Sequence, residues 1–323
     1  MKKIISTLLI LSISRLCLFS CGGDEHVDEV STIRVGYMSG PTGMGMAKLI
    51  SDNGGVEGNE TYTFKQYENT NLAKADLLAG NIDVICLPTN EAAVYYNTQD
   101  DESVVLAINT LNTLFLLTGA DVEITSFSEL AGKTIYTCQN GTPKVILEYL
   151  LEKANVDATV STTVNGQTIA TPKDLGAQIA AGNVDIAVAP EPIVTSALLQ
   201  NSSYSIDIDL ADVWVKYSSH GITMGCIVAN ASFVAKNKNL VSKFLNEYKA
   251  SIEFISNKDN LNEAAKMVKD SGIMAAEPAA KKALTNLGDS ITYIDGTEMK
   301  NALQSFYTAI GVNLPDAAFY YAK

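Results

Sequence analysis

Ala79-Gly80-Asn81-Ile82-Asp83-Val84 returns later in the chain as Ala181-Gly182-Asn183-Val184-Asp185-Ile186, with Pro88 and Pro190 each eight positions after the first glycine of its copy. In each copy the glycine ends a helical stretch, and the residues after it become almost continuously apolar. Ile82-Asp83-Val84-Ile85-Cys86-Leu87 therefore reads as a strand covered on both faces, the pattern of a parallel sheet clad by helices. Upstream of each copy lies a strand, a polar loop and a helix. In the first these are Thr32 to Tyr37, Ser39 to Gly43 and Met44 to Ser51. In the second they are Thr134 to Thr137, Cys138 to Pro143 and Lys144 to Lys153. Gly43 precedes Gly80 by 37 positions and Gly141 precedes Gly182 by 41, so two matched units recur in the same order.

Short strands alternating with helices of ordinary length predict an α/β fold of two doubly wound lobes with the same topology. Past the second copy, Gly221 to Ala229 forms another buried-strand run. From Asn239 onward the chain is mainly helical, with Leu240, Val241, Phe244, Leu245 and Tyr248 on one face. The second lobe is then inserted into the first, which gives residues 32–118 and 222–323 to lobe 1 and 119–221 to lobe 2. The two hinge crossings are expected near Thr118-Gly119 and near Tyr217 to Gly221.

The N-terminus carries a separate signal. Met1-Lys2-Lys3 precedes an apolar run from Ile4 to Phe19, broken by Arg15, and the run ends at Leu18-Phe19-Ser20-Cys21. The run is too short to span a membrane and fits a secretory signal over residues 1–20. Leu18, Ser20 and Cys21 resemble a bacterial lipobox, which makes Cys21 the lipidated first residue of the mature chain and 21–31 an acidic tether. An ordinary secretory signal with Cys21 incidental stays open. Of the five cysteines, Cys86, Cys138 and Cys226 remain, an odd number within apolar runs, and they read as small buried hydrophobes. The net charge is −13, and loss of residues 1–20, with Lys2, Lys3, Arg15 and no acid, leaves −16. That charge excludes nucleic acid and anionic lipid as partners of the folded part, leaving the lipid anchor as its only membrane contact.

Ile33-Arg34-Val35-Gly36-Tyr37 with its Gly/Pro/Thr loop, the AGNIDV segment and Ser126 to Ile135 (SFSELAGKTI) together resemble the solute-binding lipoproteins of ABC importers. The group with nitrate-, sulfonate-, thiamine-pyrimidine- and riboflavin-type ligands is the nearest. The resemblance covers nearly all of the mature chain. It implies a type II periplasmic-binding-protein fold: a hinged clamp, a monomer without cofactor, that closes on one small molecule outside the cytoplasm. The clamp would deliver its cargo to a permease driven by an ATPase, from the periplasm or the cell surface.

Ligands of doubly wound sheets sit beyond the carboxyl ends of strands, where helix N-termini present unpaired N–H groups. The strand-to-helix loops thus nominate Ser39, Gly40, Pro41, Thr42, Thr89 and Asn90 from lobe 1, and Gln139, Asn140, Gly141, Thr142 and Glu191 from lobe 2. Trp214, Tyr217 and His220 join them because they flank the second crossing. Capping and turn geometry is the competing reading for each residue taken singly. The loop Ser39 to Gly45 lacks a P-loop lysine and is no nucleotide motif. Once Arg15 is gone, Arg34 is the only arginine, and it stands at a strand start, so no bidentate clamp for a carboxylate is on offer. The ligand is therefore expected to be neutral or weakly anionic, with flat heteroaromatic molecules of pyrimidine or flavin type among the candidates. Tyr37, Tyr95, Tyr96, Tyr136, Trp214 and Tyr217 would supply stacking rings, unless they are core residues. His26 and His220 are the only histidines, and no catalytic or metal-binding set assembles around them. An enzyme acting on a vitamin or quinone precursor, or a tethered partner-binding protein, are the alternatives. Replacing Cys21 by Ser should move the protein from the membrane pellet to the soluble fraction; retention in the pellet would contradict the lipobox.

Overall fold

The computed structural model describes residues 28–98, 102–139 and 141–322; Cys21, the tether up to residue 27 and Asn140 lie outside them. Thirteen strands are described: β1 (Ile33–Met38), β2 (Tyr62–Tyr67), β3 (Val84–Pro88), β4 (Ser103–Leu111), β5 (Leu114–Thr118), β6 (Thr134–Tyr136), β7 (Thr159–Ser161), β8 (Thr163–Val164), β9 (Gln167–Thr168), β10 (Ile186–Pro190), β11 (Ser205–Asp209), β12 (Thr223–Asn230) and β13 (Ile291–Ile294). They form a six-stranded sheet in the order β13-β4-β12-β3-β1-β2, a five-stranded sheet in the order β11-β5-β10-β6-β7, and the small hairpin β8-β9.

The internal repeat has a structural meaning. β3 and β10, the strands of the two copies, hold equivalent places. Each pairs parallel with one neighbour (β1 or β6) and antiparallel with the other (β12 or β5). Order and direction match along the whole run β4-β12-β3-β1-β2 against β11-β5-β10-β6-β7, and β13 is the one addition in the larger sheet. The glycines that open the repeat, Gly80 and Gly182, have φ of 68° and 72°, a region that side chains rarely occupy. Their surroundings leave room for a Cβ or nearly so, so backbone conformation and not space accounts for glycine there. Arg34 is bound to the first copy: its Nε lies 3.0 Å from Asp83 Oδ2 and its backbone N–H donates to the same oxygen at 2.8 Å.

The crossing points depart from the expectation at one end. β5 was expected to close lobe 1, but it pairs antiparallel with β10 and β11 and belongs to the second sheet. The chain leaves the first sheet at Asn112-Thr113 and not at Thr118-Gly119. The reason is physical: Leu114 to Leu117 is a fully buried apolar run, and such a run does not declare which of two sheets covers it. The return passage starts after β11, includes the helix Leu210–Trp214, and enters the first sheet again at Thr223.

The two passages are tied together. Asn112 takes the left-handed φ of 49°, its backbone N–H donates to Ile222 O at 2.9 Å, and its Oδ1 accepts from Ile222 N at 2.8 Å. Ser290 Oγ donates to Asn112 O at 3.1 Å. Beside this knot one apolar core runs from lobe to lobe. In it Trp214 packs against Tyr149 of the second lobe (5.1 Å between ring centroids) and Phe306 of the first (6.0 Å). Cys86, Cys138 and Cys226 are buried thiols, and burial pushes Cys86 up to about 12 and Cys138 up to about 11. At the amino end of β1, Asp28 accepts from the N–H groups of Asn239 and Leu240, both at 3.1 Å, at the start of the long helix Lys238–Ser256. An acid there is favoured by the helix dipole, and it fixes where the N-terminal segment leaves the domain.

Asn112→Ala strands the Ile222 N–H and places alanine at positive φ, so it should cost about 2 kcal/mol in urea unfolding. A loss below about 0.5 kcal/mol, the range of ordinary surface substitutions, would show that the passages are not tied through this side chain.

Candidate functional site

Six helices, five that follow strands of the two sheets and one that follows the hairpin β8-β9, begin around the space between the lobes. From lobe 1 come Pro41–Met44, Thr70–Leu78 and Thr89–Thr98; from lobe 2 come Thr142–Ala154, Pro172–Ala180 and Ile193–Gln200. Asn69 and Thr171 cap their helices with side-chain oxygens, Thr171 in a reciprocal capping box with Asp174. The helices that follow Gly40 and Gly141 have no side-chain cap at that position, which leaves N–H groups for another acceptor, whereas at the helix after Pro192 the Thr195 N–H is taken by Glu191. These termini surround a cleft of about 780 Å3. A groove of similar size, about 840 Å3, lies at the amino end of β1 around Arg34 and Asp83, but it belongs to one lobe and the chain's own residues 29–32 form part of it.

Seven of the nominated residues line the cleft: Ser39, Pro41, Thr42 and Asn90 from lobe 1, and Gly141, Thr142 and Glu191 from lobe 2. Gly40 stands behind them at a φ of 81°, where a Cβ would come within 3.3 Å of Pro192 Cδ on the facing lobe. Asn140 lies outside the described residues. The other nominations fall elsewhere. Thr89 is buried and its hydroxyl donates to Thr223 O at 2.5 Å, so it starts its helix and ties it to β12. Gln139 is exposed, and its backbone N–H pairs with Ile169 O at 2.8 Å. Trp214 is 1% exposed and its indole N–H donates to His220 O at 2.8 Å, which makes both residues part of the return passage. Tyr217 is on the outer surface of the same passage. Flanking a crossing brought these three to the junction's core and exterior, not to its cleft. Tyr37, Tyr95, Tyr96 and Tyr136 are likewise absent from the lining, and Tyr37 OH donates to the carbonyl of Ser271 at 2.8 Å.

Sequence reasoning passed over several lining residues. Glu68 to Asn71 follow β2, Thr171 to Lys173 open the Pro172–Ala180 helix, and Thr113 sits in the first crossing. Two of these groups carried a usable signal: Asn69 as an N-cap after a strand, and Thr171-Pro172-Lys173-Asp174 as a capping box with proline at its start. Met224 and Thr113 carried none, since each is one residue of an apolar or crossing segment.

Prolines, Ile193 and Met224 give the lining a large apolar share, and its charged groups are predominantly acidic, with Glu68, Glu91 and Glu191 against Lys173. Glu91 is paired with Lys74 at 2.5 Å. Glu191 is 2% exposed; it accepts from Thr195 N (3.1 Å), Thr195 Oγ1 (2.9 Å) and Asn286 Nδ2 (2.6 Å). Burial raises its pKa above the usual carboxylate range, while those donors and Lys282 pull the other way. Across the cleft the lobes also touch where Thr142 Oγ1 donates to Asn90 Oδ1 at 3.3 Å. Among the described residues, no group of three or more His, Cys, Asp and Glu gathers to hold a metal ion, and no helix is long and apolar enough to cross a membrane.

A family model described as "NMT1/THI5 like" matches residues 93–260, which is more than half of the chain and takes in all of the second lobe. The chain belongs to the NMT1/THI5-like family. Solved structures share the fold of this family member. An ABC transporter protein from Parabacteroides distasonis superposes with a TM-score of 0.72 at 24% identity, over 91% of this chain and 99% of the other. The periplasmic aliphatic sulphonate-binding protein SsuA of Escherichia coli gives 0.66 at 17%, over 87% and 88%. The periplasmic nitrate-binding protein NrtA of Synechocystis gives 0.63 at 13%, over 88% and 81%. No curated protein matches this sequence.

Within this NMT1/THI5-like fold, Glu191 has a folded-state pKa above its unfolded value. Its contribution to stability is therefore fully present below the ordinary carboxylate range and is lost as pH rises through the raised value. Unfolding series run from about pH 4 to about pH 8 should show the wild type losing stability relative to Glu191→Gln as pH rises. A difference that stays flat or grows in the opposite sense would mean that Glu191 ionises without cost.

Proposed function

We propose that the protein is the extracytoplasmic solute-binding component of an ABC importer, a clamp that holds one small molecule between its lobes and presents it to a permease with its ATPase. One observation carries this: a single cleft is lined by Ser39, Thr42 and Asn90 from one lobe and by Gly141, Thr142 and Glu191 from the other. A site split in this way is completed only when the lobes meet, which is what a capture-and-release protein requires. Family membership and the printed functions of the sulphonate- and nitrate-binding neighbours support the same reading.

The ligand we propose is small, and neutral or weakly anionic. Three carboxylates beside one lysine in the lining support the neutral side of that range. A heteroaromatic ligand of pyrimidine or flavin type would be read at its edge by side chains such as Asn90, because the tyrosines and Trp214 proposed for stacking are committed elsewhere. We further propose that the protein acts as a monomer tethered through lipid on Cys21. The described end of the tether, Asp28 to Val30, runs along the amino end of β1, while the cleft opens at the carboxyl ends of the strands. A tether attached there leaves the cleft accessible.

Protein lacking residues 1–21 should gain thermal stability with one member of a panel of pyrimidine, flavin, purine, sulfonate and oxyanion compounds. The expected gain is about 2.7 kcal/mol at a hundredfold excess over the dissociation constant. Asn90→Ala together with Thr142→Ala should reduce it. Absence of any shift across the panel removes these ligand classes, and chemical turnover of a panel member would replace the importer reading with an enzymatic one.

A further inference from the structure

We infer that Asn286 is a positioning residue of the binding site, a clasp that sets how readily the two lobes close. Asn286 lies on the helix Glu277–Leu287, whose Ala280, Ala283, Leu284 and Leu287 are packed in the core of lobe 1. Its side-chain amide reaches across to lobe 2, where Nδ2 donates to Glu191 Oε1 at 2.6 Å and lies 3.2 Å from Thr195 Oγ1. The helices Glu277–Leu287 and Ile193–Gln200 meet at this point.

The position of Glu191 makes that one contact decisive. Within its own lobe the carboxylate already accepts from Thr195 N and Thr195 Oγ1, so it is held at the start of the 193–200 helix whether or not the lobes touch. With the lobes in contact as they are here, only 2% of the residue is exposed. Removing a charged group from water is costly unless new hydrogen bonds replace the hydration, and those to charged groups are the strong ones. Among the groups that face Glu191 from lobe 1, Asn286 donates the hydrogen bond and Lys282, on the same helix, adds the nearby positive charge. The amide of Asn286 thus offsets the desolvation that closure imposes. Without it, closing buries an anion with no hydrogen-bond donor from lobe 1 and only the nearby charge of Lys282 to face it.

The inference rests on the clamp reading above but needs no knowledge of the ligand, so its test is done on the unliganded protein. Fluorescent labels on the protein lacking residues 1–21, at Leu72→Cys in lobe 1 and Leu199→Cys in lobe 2, both exposed positions, report the inter-lobe distance; the remaining Cys86, Cys138 and Cys226 are buried. Asn286→Ala should lower the closed-to-open ratio about tenfold, the equivalent of one charge-assisted hydrogen bond. Asn286→Asp, which sets a second carboxylate against Glu191, should lower it further. In a double-mutant cycle, Asn286→Ala should add little in a Glu191→Gln background. Circular dichroism identifies any variant that fails to fold, and either Asn286 variant alone suffices for the comparison. Distance distributions unchanged in the folded variants would overturn the inference. Failure of the compound panel with a responsive clasp would instead count against the ligand classes and leave the clasp standing.

Discussion

Everything in this molecule hangs on the pair of hydrogen bonds between Asn112 and Ile222, where the two chain passages between lobes are joined to each other. Two separate linkers would let the lobes rotate about several axes. Linkers locked side by side restrict those rotations, and Trp214, Tyr149 and Phe306 pack as an apolar cluster beside the knot. The constraint also reaches the cleft directly. Thr113, next to Asn112, lines the cleft, and its carbonyl accepts the backbone N–H of Glu191 at 2.9 Å. Motion at the hinge therefore moves the most buried carboxylate of the site.

The cleft inherits its chemistry from the repeated topology. Each sheet delivers parallel strands whose carboxyl ends face the other lobe, and all of these but β7, which runs on into the hairpin β8-β9, hand over to a helix N-terminus. Lobe 1 fixes its first loop from beneath: Asn109 Nδ2 donates to Thr42 O at 3.0 Å and to Tyr248 OH at 2.9 Å. β4, which carries Asn109, continues into the crossing at Asn112. One strand thus supports both the loop that lines the cleft and the hinge about which it closes. Lobe 2 answers with the uncapped start of the 142–154 helix and with Glu191.

Much of the fold was legible because its strongest signals are local. A glycine at positive φ, a doubly covered strand and a terminal proline fall within ten residues, and the chain prints them twice. Arg34 was readable in the same way, since a strand start in a parallel sheet lies opposite the ligand edge. What stayed hidden depends on long-range choice. The apolar run Leu114 to Leu117 suits either sheet, and only its pairing with β10 and β11 assigns it to the second lobe. Trp214 and His220 look the same in sequence whether they face a ligand or each other. The hydrogen bond between Glu191 and Asn286 joins helices far apart in the chain, and no motif at either end announces it.

The central claim is that this family member holds one small molecule between its lobes. Native mass spectrometry of the mature protein, purified without denaturation from the cell that produces it, tests that claim most directly. The account predicts a single low-mass adduct per chain, absent when Thr42→Trp fills the cleft from lobe 1. A chain that never carries an adduct, or an adduct indifferent to Thr42→Trp, would contradict it.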